Sequence, residues 1–144
     1  MVYGVQCFPR SLQRDTYSCG ARAVYTVFQH FQRALPYSEV VSRLKTDCDG
    51  TNVKPMLNLL REQGFSAGRY TRMSFEQLLR ALARQSVLIL DVDGCHFLVC
   101  HGVDLLAERV YVSDPSIWRT WGRTLSLARF KRRWDGSGVV VRLR

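Results

Sequence analysis

Cys19 occupies a position where a thiol can act as a nucleophile. A polar segment ends at Ser18, and an apolar pattern with helical spacing begins directly after it. Ser18 is a favourable N-cap residue, because its hydroxyl can accept a hydrogen bond from an amide of the first turn. At a helix start, the aligned peptide dipoles stabilise a thiolate over a thiol. Gly20 leaves room beside the sulfur for a substrate carbonyl, and Gln13 supplies an amide donor six residues earlier. These are the parts of a cysteine acyl-transfer site.

A lone helical cysteine is more often a small core residue, so the chemical interpretation requires a base. The sequence has three histidines. His30 lies eleven residues after Cys19 in the same predicted helix, roughly 16 Å along its axis, which is too far for contact. His101 comes late in a predicted strand. His96 follows the hairpin signal Asp93-Gly94 at a strand start, where side chains face the rim of a sheet, and it is therefore the favoured base.

A carboxylate is needed to orient the imidazole, and the nearby choices are Asp91, Asp93, Asp104 and Asp114. Aspartates in hairpins normally serve the turn, which disfavours Asp91 and Asp93. Asp114 ends the next predicted strand, and an antiparallel pairing would bring that end beside His96. Geometry favours Asp114, while the segment Asp114-Pro115-Ser116 taken alone is equally typical of a plain turn.

Helices come first in the chain and strands second. The predicted helices cover residues 19–33, 38–44, 53–63, 75–84 and 127–134, the fourth opened by a capping box from Ser74 to Gln77. The predicted strands cover residues 65–70, 86–92, 95–103, 109–113, 117–123 and 139–143, and residues 1–10 form a loop or short edge strand. This order predicts an α+β fold rather than a doubly wound sheet. The length suits a single domain over residues 1–144.

The chain is strongly basic, with a net charge of +9. The basic residues are scattered, apart from a run from Arg129 to Arg133 that we interpret as an exposed helix face. No helix-turn-helix, zinc-finger spacing or RNA-binding aromatic motif is present, so a nucleic-acid ligand is not expected. A scattered basic surface is more typical of a solvated face or of a preference for acidic peptides.

The five cysteines are an odd number and form no C-x-x-C pair. No zinc-ligand spacing appears, so we expect neither a metal nor another cofactor. We interpret Cys7, Cys48 and Cys100 as small core residues, and Trp118, Trp121 and Trp134 as packing residues. The absence of a secretory signal and the unpaired thiol predict a cytoplasmic setting, or the cytosolic domain of a membrane transporter.

Five groups of residues along nearly the whole chain resemble the peptidase C39 family of papain-like cysteine peptidases. They are Gln13 with Cys19-Gly20; Asp49-Gly50-Thr51 before a helix that ends Gln63-Gly64-Phe65; Asp93-Gly94-Cys95-His96-Phe97-Leu98-Val99; Val112-Ser113-Asp114-Pro115; and Phe130 with Trp134-Asp135-Gly136. The family is best known for the bacteriocin-processing peptidase domains of ABC transporters, which cut leader peptides after a double glycine.

The resemblance implies a papain-like fold, with N-terminal helices packed on a C-terminal antiparallel sheet. It implies that Cys19 is the nucleophile, His96 the general base and later acid, and Asp114 its orienting group. Gln13 and the Cys19 amide would form the oxyanion hole. The implied substrate is a precursor peptide, and the implied association is with an ABC transporter. The basic surface would suit a precursor with an acidic leader helix.

The chain departs from the family pattern at two positions. Family members often carry Asp directly before the cysteine, where this chain has Ser18, and Cys95 beside His96 is not expected. Neither change removes a catalytic group, which favours an active peptidase. The alternatives are a catalytically silent module that docks a leader peptide or partner protein and, from another class, a nucleic-acid binder.

Overall fold

The computed structural model describes residues 1–47, 49–94, 96–117 and 121–144. Within them the helices are α1 (Cys19–His30), α2 (Tyr37–Leu44), α3 (Val53–Glu62), α4 (Phe75–Ala83) and α5 (Leu127–Arg133). The strands are β1 (Val2–Gly4), β2 (Phe65–Tyr70), β3 (Val87–Val92), β4 (His96–Asp104), β5 (Arg109–Ser113), β6 (Thr124–Ser126) and β7 (Gly138–Leu143). None of these helices is long and apolar enough to cross a bilayer.

The strands form one antiparallel sheet in the order β2-β7-β3-β4-β5-β6, and β1 also pairs with β4. The predicted α+β class and antiparallel sheet are confirmed. β4 pairs with β3, β5 and β1, so the strand that begins at His96 has three antiparallel neighbours.

Helices cover both faces of the sheet. Strand β3 shows how: Val87 and Ile89 enter a core shared with α1, α2 and α3, whereas Leu88 and Leu90 enter a second core shared with α4 and α5. Successive strand side chains point to opposite faces, so a continuous apolar run such as this is buried on both sides. The N-terminal helices pack on the sheet as predicted, and α4 and α5 cover its other face.

Local sequence signals account for several boundaries. Ser74 accepts a hydrogen bond from Gln77 N at 3.1 Å and Gln77 Oε1 accepts one from Ser74 N at 2.8 Å, which confirms the predicted capping box. The β3–β4 turn has Asp93 at φ 53° and Gly94 at φ 80°, the left-handed pair that a tight hairpin requires. α1 is shorter than predicted, because Gln32 adopts φ 58° and the helix cannot continue.

The prediction of a strand over residues 117–123 is wrong at residue 117 and at residues 121–123. Residues 118–120 lie outside the described part of the chain. Ile117 and Trp121 are not extended, Gly122 has a left-handed φ of 64°, and the short strand β6 follows instead. The apolar pattern that suggested a strand has another cause. Trp121 is fully buried and packs edge-on against Phe130 in the second core.

Two further packing predictions are wrong. Cys7 is exposed rather than a core residue, whereas Cys100 is buried as predicted and Cys48 lies outside the described residues. In α5, Arg129, Lys131 and Arg132 are exposed as expected. Arg133 is half-buried, because its guanidinium stacks 4.0 Å from the centre of the Trp121 ring.

Candidate active site

Cys19 is the first residue of α1 and is almost entirely buried, with 6% of its surface exposed. Its sulfur accepts a hydrogen bond from the backbone amide of Phe97 at 3.4 Å. Helix α1 packs against β4 through the first core, and this contact holds the thiol beside the start of that strand. The sulfur therefore has both the helix N-terminus and an amide donor from the sheet to stabilise negative charge.

Ser18 occupies the N-cap position but does not cap α1 through its hydroxyl, so that prediction is wrong. With φ −94° and ψ 17°, Ser18 lacks the extended backbone of a capping serine, and no amide of the first turn donates to its hydroxyl. The Asp15 carboxylate accepts hydrogen bonds from Tyr17 N at 3.0 Å and Ser18 N at 2.7 Å. Burial acts to raise the pKa of Asp15, but the Ser18 side chain, these two backbone amides and the charge of Arg22 hold it below its ordinary value.

His96 is the first residue of β4, with 3% of its surface exposed. Its Nε2 lies 2.6 Å from Oδ1 of Asp114, which is fully buried. Burial by itself would lower the pKa of His96, but hydrogen bonds and negative charge from Asp114 and Cys19 raise it to about 9. Since Asp114 engages Nε2, Nδ1 is the ring nitrogen left for Cys19.

Strand pairing explains why Asp114 reaches His96. β4 and β5 are antiparallel, with Val99 opposite Ser113, so the chain leaving β5 passes the first residues of β4. The three other carboxylates considered from the sequence have different surroundings. Asp93 accepts hydrogen bonds from Trp121 Nε1 at 2.9 Å and Arg133 Nη2 at 3.2 Å, and Asp104 accepts one from Ala107 N at 3.1 Å. Asp91 lines the cleft beside the thiol.

Gln13 is buried, and its position is fixed at both main chain and side chain. Its backbone N–H donates to the carbonyl of Pro115 at 2.8 Å, and its side-chain Nε2 donates to the carbonyl of Asp15 at 2.7 Å. A primary amide has two N–H groups, so Gln13 retains one donor after bonding Asp15. The structure thus links Gln13 both to the turn before Cys19 and to the residue after Asp114.

A cleft of about 580 Å³ opens beside the thiol. The cleft is lined by apolar, polar and charged residues. They include Tyr17, Cys19, Thr51, Lys54, Arg69, Asp91 and Phe97. Burial and the neighbouring charge of Asp135 raise the pKa of Asp91. Arg69 and Asp91 were not identified from the sequence as cleft residues, although strand alternation places Asp91 on the same face as Ile89.

Gly20 has a different role from the one expected. A Cβ atom at this position would lie 2.8 Å from Thr51 Cβ and 3.1 Å from a Phe97 ring carbon. The space beside Gly20 is therefore filled by protein atoms and is not open to a substrate carbonyl. Glycine lets α1 approach the loop at Thr51 and the start of β4, and Thr51 and Phe97 from these two segments line the cleft beside the sulfur.

The family model of the peptidase C39 family matches residues 8–143, nearly the whole chain. The chain belongs to the peptidase C39 family. No curated protein shows a significant match to this C39 peptidase family member.

Solved structures share the fold. The double-glycine-motif protease of an AMS/PCAT transporter, solved with its leader peptide, has a TM-score of 0.80 at 21% identity, with 98% of this chain and 95% of that chain covered. The peptidase domain of Streptococcus ComA, a bifunctional ABC transporter, has a TM-score of 0.75 at 16% identity, with coverage of 96% and 100%. The C39-like domain of a Vibrio parahaemolyticus toxin secretion ATP-binding protein has a TM-score of 0.68 at 12% identity, with coverage of 90% and 100%.

Proposed function

We propose that this C39 family member is a cysteine peptidase, with Cys19 as nucleophile, His96 as general base and acid, and Asp114 as the group that orients His96. The observation that carries the proposal is the buried His96–Asp114 hydrogen bond of 2.6 Å, in a histidine whose raised pKa reflects contact with both Asp114 and Cys19. A nucleophile, a base and an orienting carboxylate in contact form the minimal unit for covalent amide hydrolysis.

In the acylation step, the Cys19 sulfur attacks the carbonyl carbon of the scissile peptide bond. The carbonyl oxygen takes up the negative charge, and the Cys19 amide and the free N–H of Gln13 donate to it. As the C–N bond breaks, the His96 imidazolium gives its Nδ1 proton to the leaving amine. The product is a thioester between the Cys19 sulfur and the N-terminal part of the substrate.

In the deacylation step, neutral His96 removes a proton from a water molecule that attacks the thioester carbonyl. The C–S bond then breaks, which releases a carboxylic acid and restores the thiolate and imidazolium. Asp114 orients the imidazolium through its contact with Nε2. The pair of Cys19 and His96 is regenerated without any cofactor consumed.

The proposed substrate is a precursor peptide cut after a double-glycine-type site. The small residues of a double glycine suit a cleft in which Thr51 and Phe97, two of its lining residues beside the sulfur, pack against Gly20. The structural neighbours include a double-glycine-motif protease solved with a leader peptide and the peptidase domains of ABC transporters. By this likeness, association with an ABC transporter is part of the proposal, as is action on the cytosolic side of a membrane.

An acidic leader suits the net charge of +9. Three synthetic precursors test the substrate. The first has an acidic leader helix that ends in Gly-Gly. The second has Leu-Leu in place of Gly-Gly, and the third has a charge-neutral leader helix. We expect cleavage of the first, none of the Leu-Leu peptide, and weaker, less salt-sensitive binding of the neutral one. Equal cleavage of all three would contradict the substrate assignment.

Selective alkylation tests the nucleophile independently of any substrate. Iodoacetamide at pH 6 should modify Cys19 first, because the helix N-terminus and the His96 imidazolium stabilise its thiolate. Exposed Cys7 is the internal control for access, and Cys100 is buried with its pKa raised to about 12. The modified residue is identified by peptide mass. Modification of Cys7 ahead of Cys19, or no loss of selectivity in His96→Gln, would favour a catalytically silent docking module.

A further inference from the structure

Residues 5–13, which precede Cys19 in the chain, are hydrogen-bonded to the strands and the turn next to Asp114. Val5 N donates to the His101 carbonyl at 2.8 Å, and Ser113 Oγ donates to the Pro9 carbonyl at 2.7 Å. Gln13 N then donates to the Pro115 carbonyl. These contacts align residues 5–13 with β4, with the end of β5 and with the turn that follows it.

Arg10 makes the central contact of this segment. Its Nε donates to the Asp114 carbonyl at 2.7 Å, and its Nη2 donates to the Ser116 carbonyl at 3.2 Å. Asp114 is fully buried and Ser116 is 2% exposed, while Arg10 itself remains accessible to solvent. One planar guanidinium therefore bridges two main-chain carbonyls that lie two residues apart.

Those two carbonyls belong to the turn that sets the Asp114 carboxylate. Ser116 N donates to Asp114 Oδ1 at 2.9 Å, and the same oxygen bonds His96 Nε2 at 2.6 Å. The other carboxylate oxygen has no partner among the described residues. The direction of the carboxylate thus depends on the backbone of residues 114–116, because the Ser116 amide and His96 share one oxygen.

We infer that Arg10 is a positioning residue, whose guanidinium fixes the Asp114–Ser116 turn and thereby holds the Asp114 carboxylate against His96. This inference rests on the proposed function, since it assigns Arg10 to the support of the same site. Lysine cannot replace it fully, because a single ammonium lacks the rigid fork of donors that spans both carbonyls. Nothing in the sequence pattern marks Arg10, which lies more than one hundred residues from the carbonyls it bonds.

The test compares Arg10→Ala and Arg10→Lys with Arg14→Ala, which removes the same charge from the same segment. Arg14 is exposed and has no hydrogen bond or ion pair in the described part of the structure. We expect Arg10→Ala to lower kcat about tenfold with little change in KM. The kcat of Arg10→Lys should lie between that of Arg10→Ala and that of the parent protein. The alkaline limb of the kcat profile should move to lower pH in Arg10→Ala and stay unchanged in Arg14→Ala.

A second readout needs no turnover. The His96 pKa, about 9 in the parent protein, is measured by NMR titration of the imidazole in each variant. A displaced carboxylate should lower that pKa in Arg10→Ala, and less so in Arg10→Lys. An unchanged His96 pKa in folded Arg10→Ala would overturn the inference; if that variant does not fold, an unchanged pKa in Arg10→Lys would do so. Absence of cleavage by the parent protein would instead overturn the proposed function.

Discussion

At the residue scale, His96 is the group whose surroundings matter most. It lies between a buried carboxylate and a buried thiol, and both favour its cationic form more strongly than burial disfavours it. A histidine that stays protonated up to about pH 9 can serve as the acid for amine departure across the neutral range. Two predictions belong to this scale: one concerns Asp114, the partner of His96, and the other concerns Gln13.

Asp114→Asn should keep the fold and lower kcat by roughly 10²-fold or more, because the imidazolium loses its carboxylate. The pKa of His96 should fall, so the alkaline limb of the rate profile should move below its position near pH 9. The measurement is kcat against pH. Asp104→Asn is the matched control, since Asp104 bonds Ala107 N at the far end of β4. An unmoved alkaline limb in Asp114→Asn would refute the role of Asp114.

Gln13→Ala should lower kcat by roughly 10²- to 10³-fold if the Gln13 amide donates to the oxyanion. Alkylation of Cys19 by iodoacetamide forms no oxyanion, so its rate should be nearly unchanged in the same variant. The comparison of these two rates separates loss of the donor from general damage to the site. A parallel drop in both rates would show that Gln13 supports the Cys19 turn, through its bond to the Asp15 carbonyl, rather than the oxyanion.

At the scale of elements, the site depends on how closely α1 approaches the start of β4 and the loop at Thr51. The sulfur belongs to the helix, the imidazole to the strand and part of the cleft wall to the loop, so no single element contains the site. Gly20 is the contact that sets this approach, because its missing side chain lets Thr51 and Phe97 pack against the helix.

Gly20→Ala should destabilise the protein by about 1–3 kcal/mol, because its Cβ would lie 2.8 Å from Thr51 Cβ. The measurement is the free energy of unfolding in urea. Thr51→Gly removes the clashing atom, so the double variant should lose less stability than the sum of the two single variants. Strict additivity would mean that the two positions do not touch.

At the scale of the whole molecule, the buried His96–Asp114 pair links stability to pH. The folded-state pKa of His96 is about 9, above the ordinary value of 6.5. Below pH 6.5 both folded and unfolded states carry the proton, and the stabilisation from this group is fully present. As pH rises, the unfolded state loses its proton first, so the stabilisation declines and is gone above about pH 9.

Comparison of the parent protein with His96→Gln isolates this contribution. The difference in their free energies of unfolding should be constant below pH 6.5 and decrease by at most about 3 kcal/mol as pH rises to 9. Urea unfolding at intervals of half a pH unit measures it. A difference that grows with pH would mean that His96 is neutral in the folded protein.

The sequence by itself determined the local features. Helical spacing after Ser18 located the start of α1 and with it Cys19, and Asp93-Gly94 located the hairpin that precedes His96. The capping box at Ser74 is a further case. Each of these depends on residues within a few positions of one another, so backbone preferences and hydrogen bonds inside the segment decide them.

Only the tertiary structure decided which distant groups meet. From the sequence, four aspartates were candidate partners of His96 and expected strand pairing favoured Asp114, but only the register of β4 and β5 brings its carboxylate to 2.6 Å from the imidazole. Likewise, the bond from Arg10 to the Asp114 carbonyl joins residues 104 positions apart. Such contacts depend on strand register and on which helix packs on which face of the sheet. These are set by burial of the entire apolar core, which no short pattern in the chain encodes.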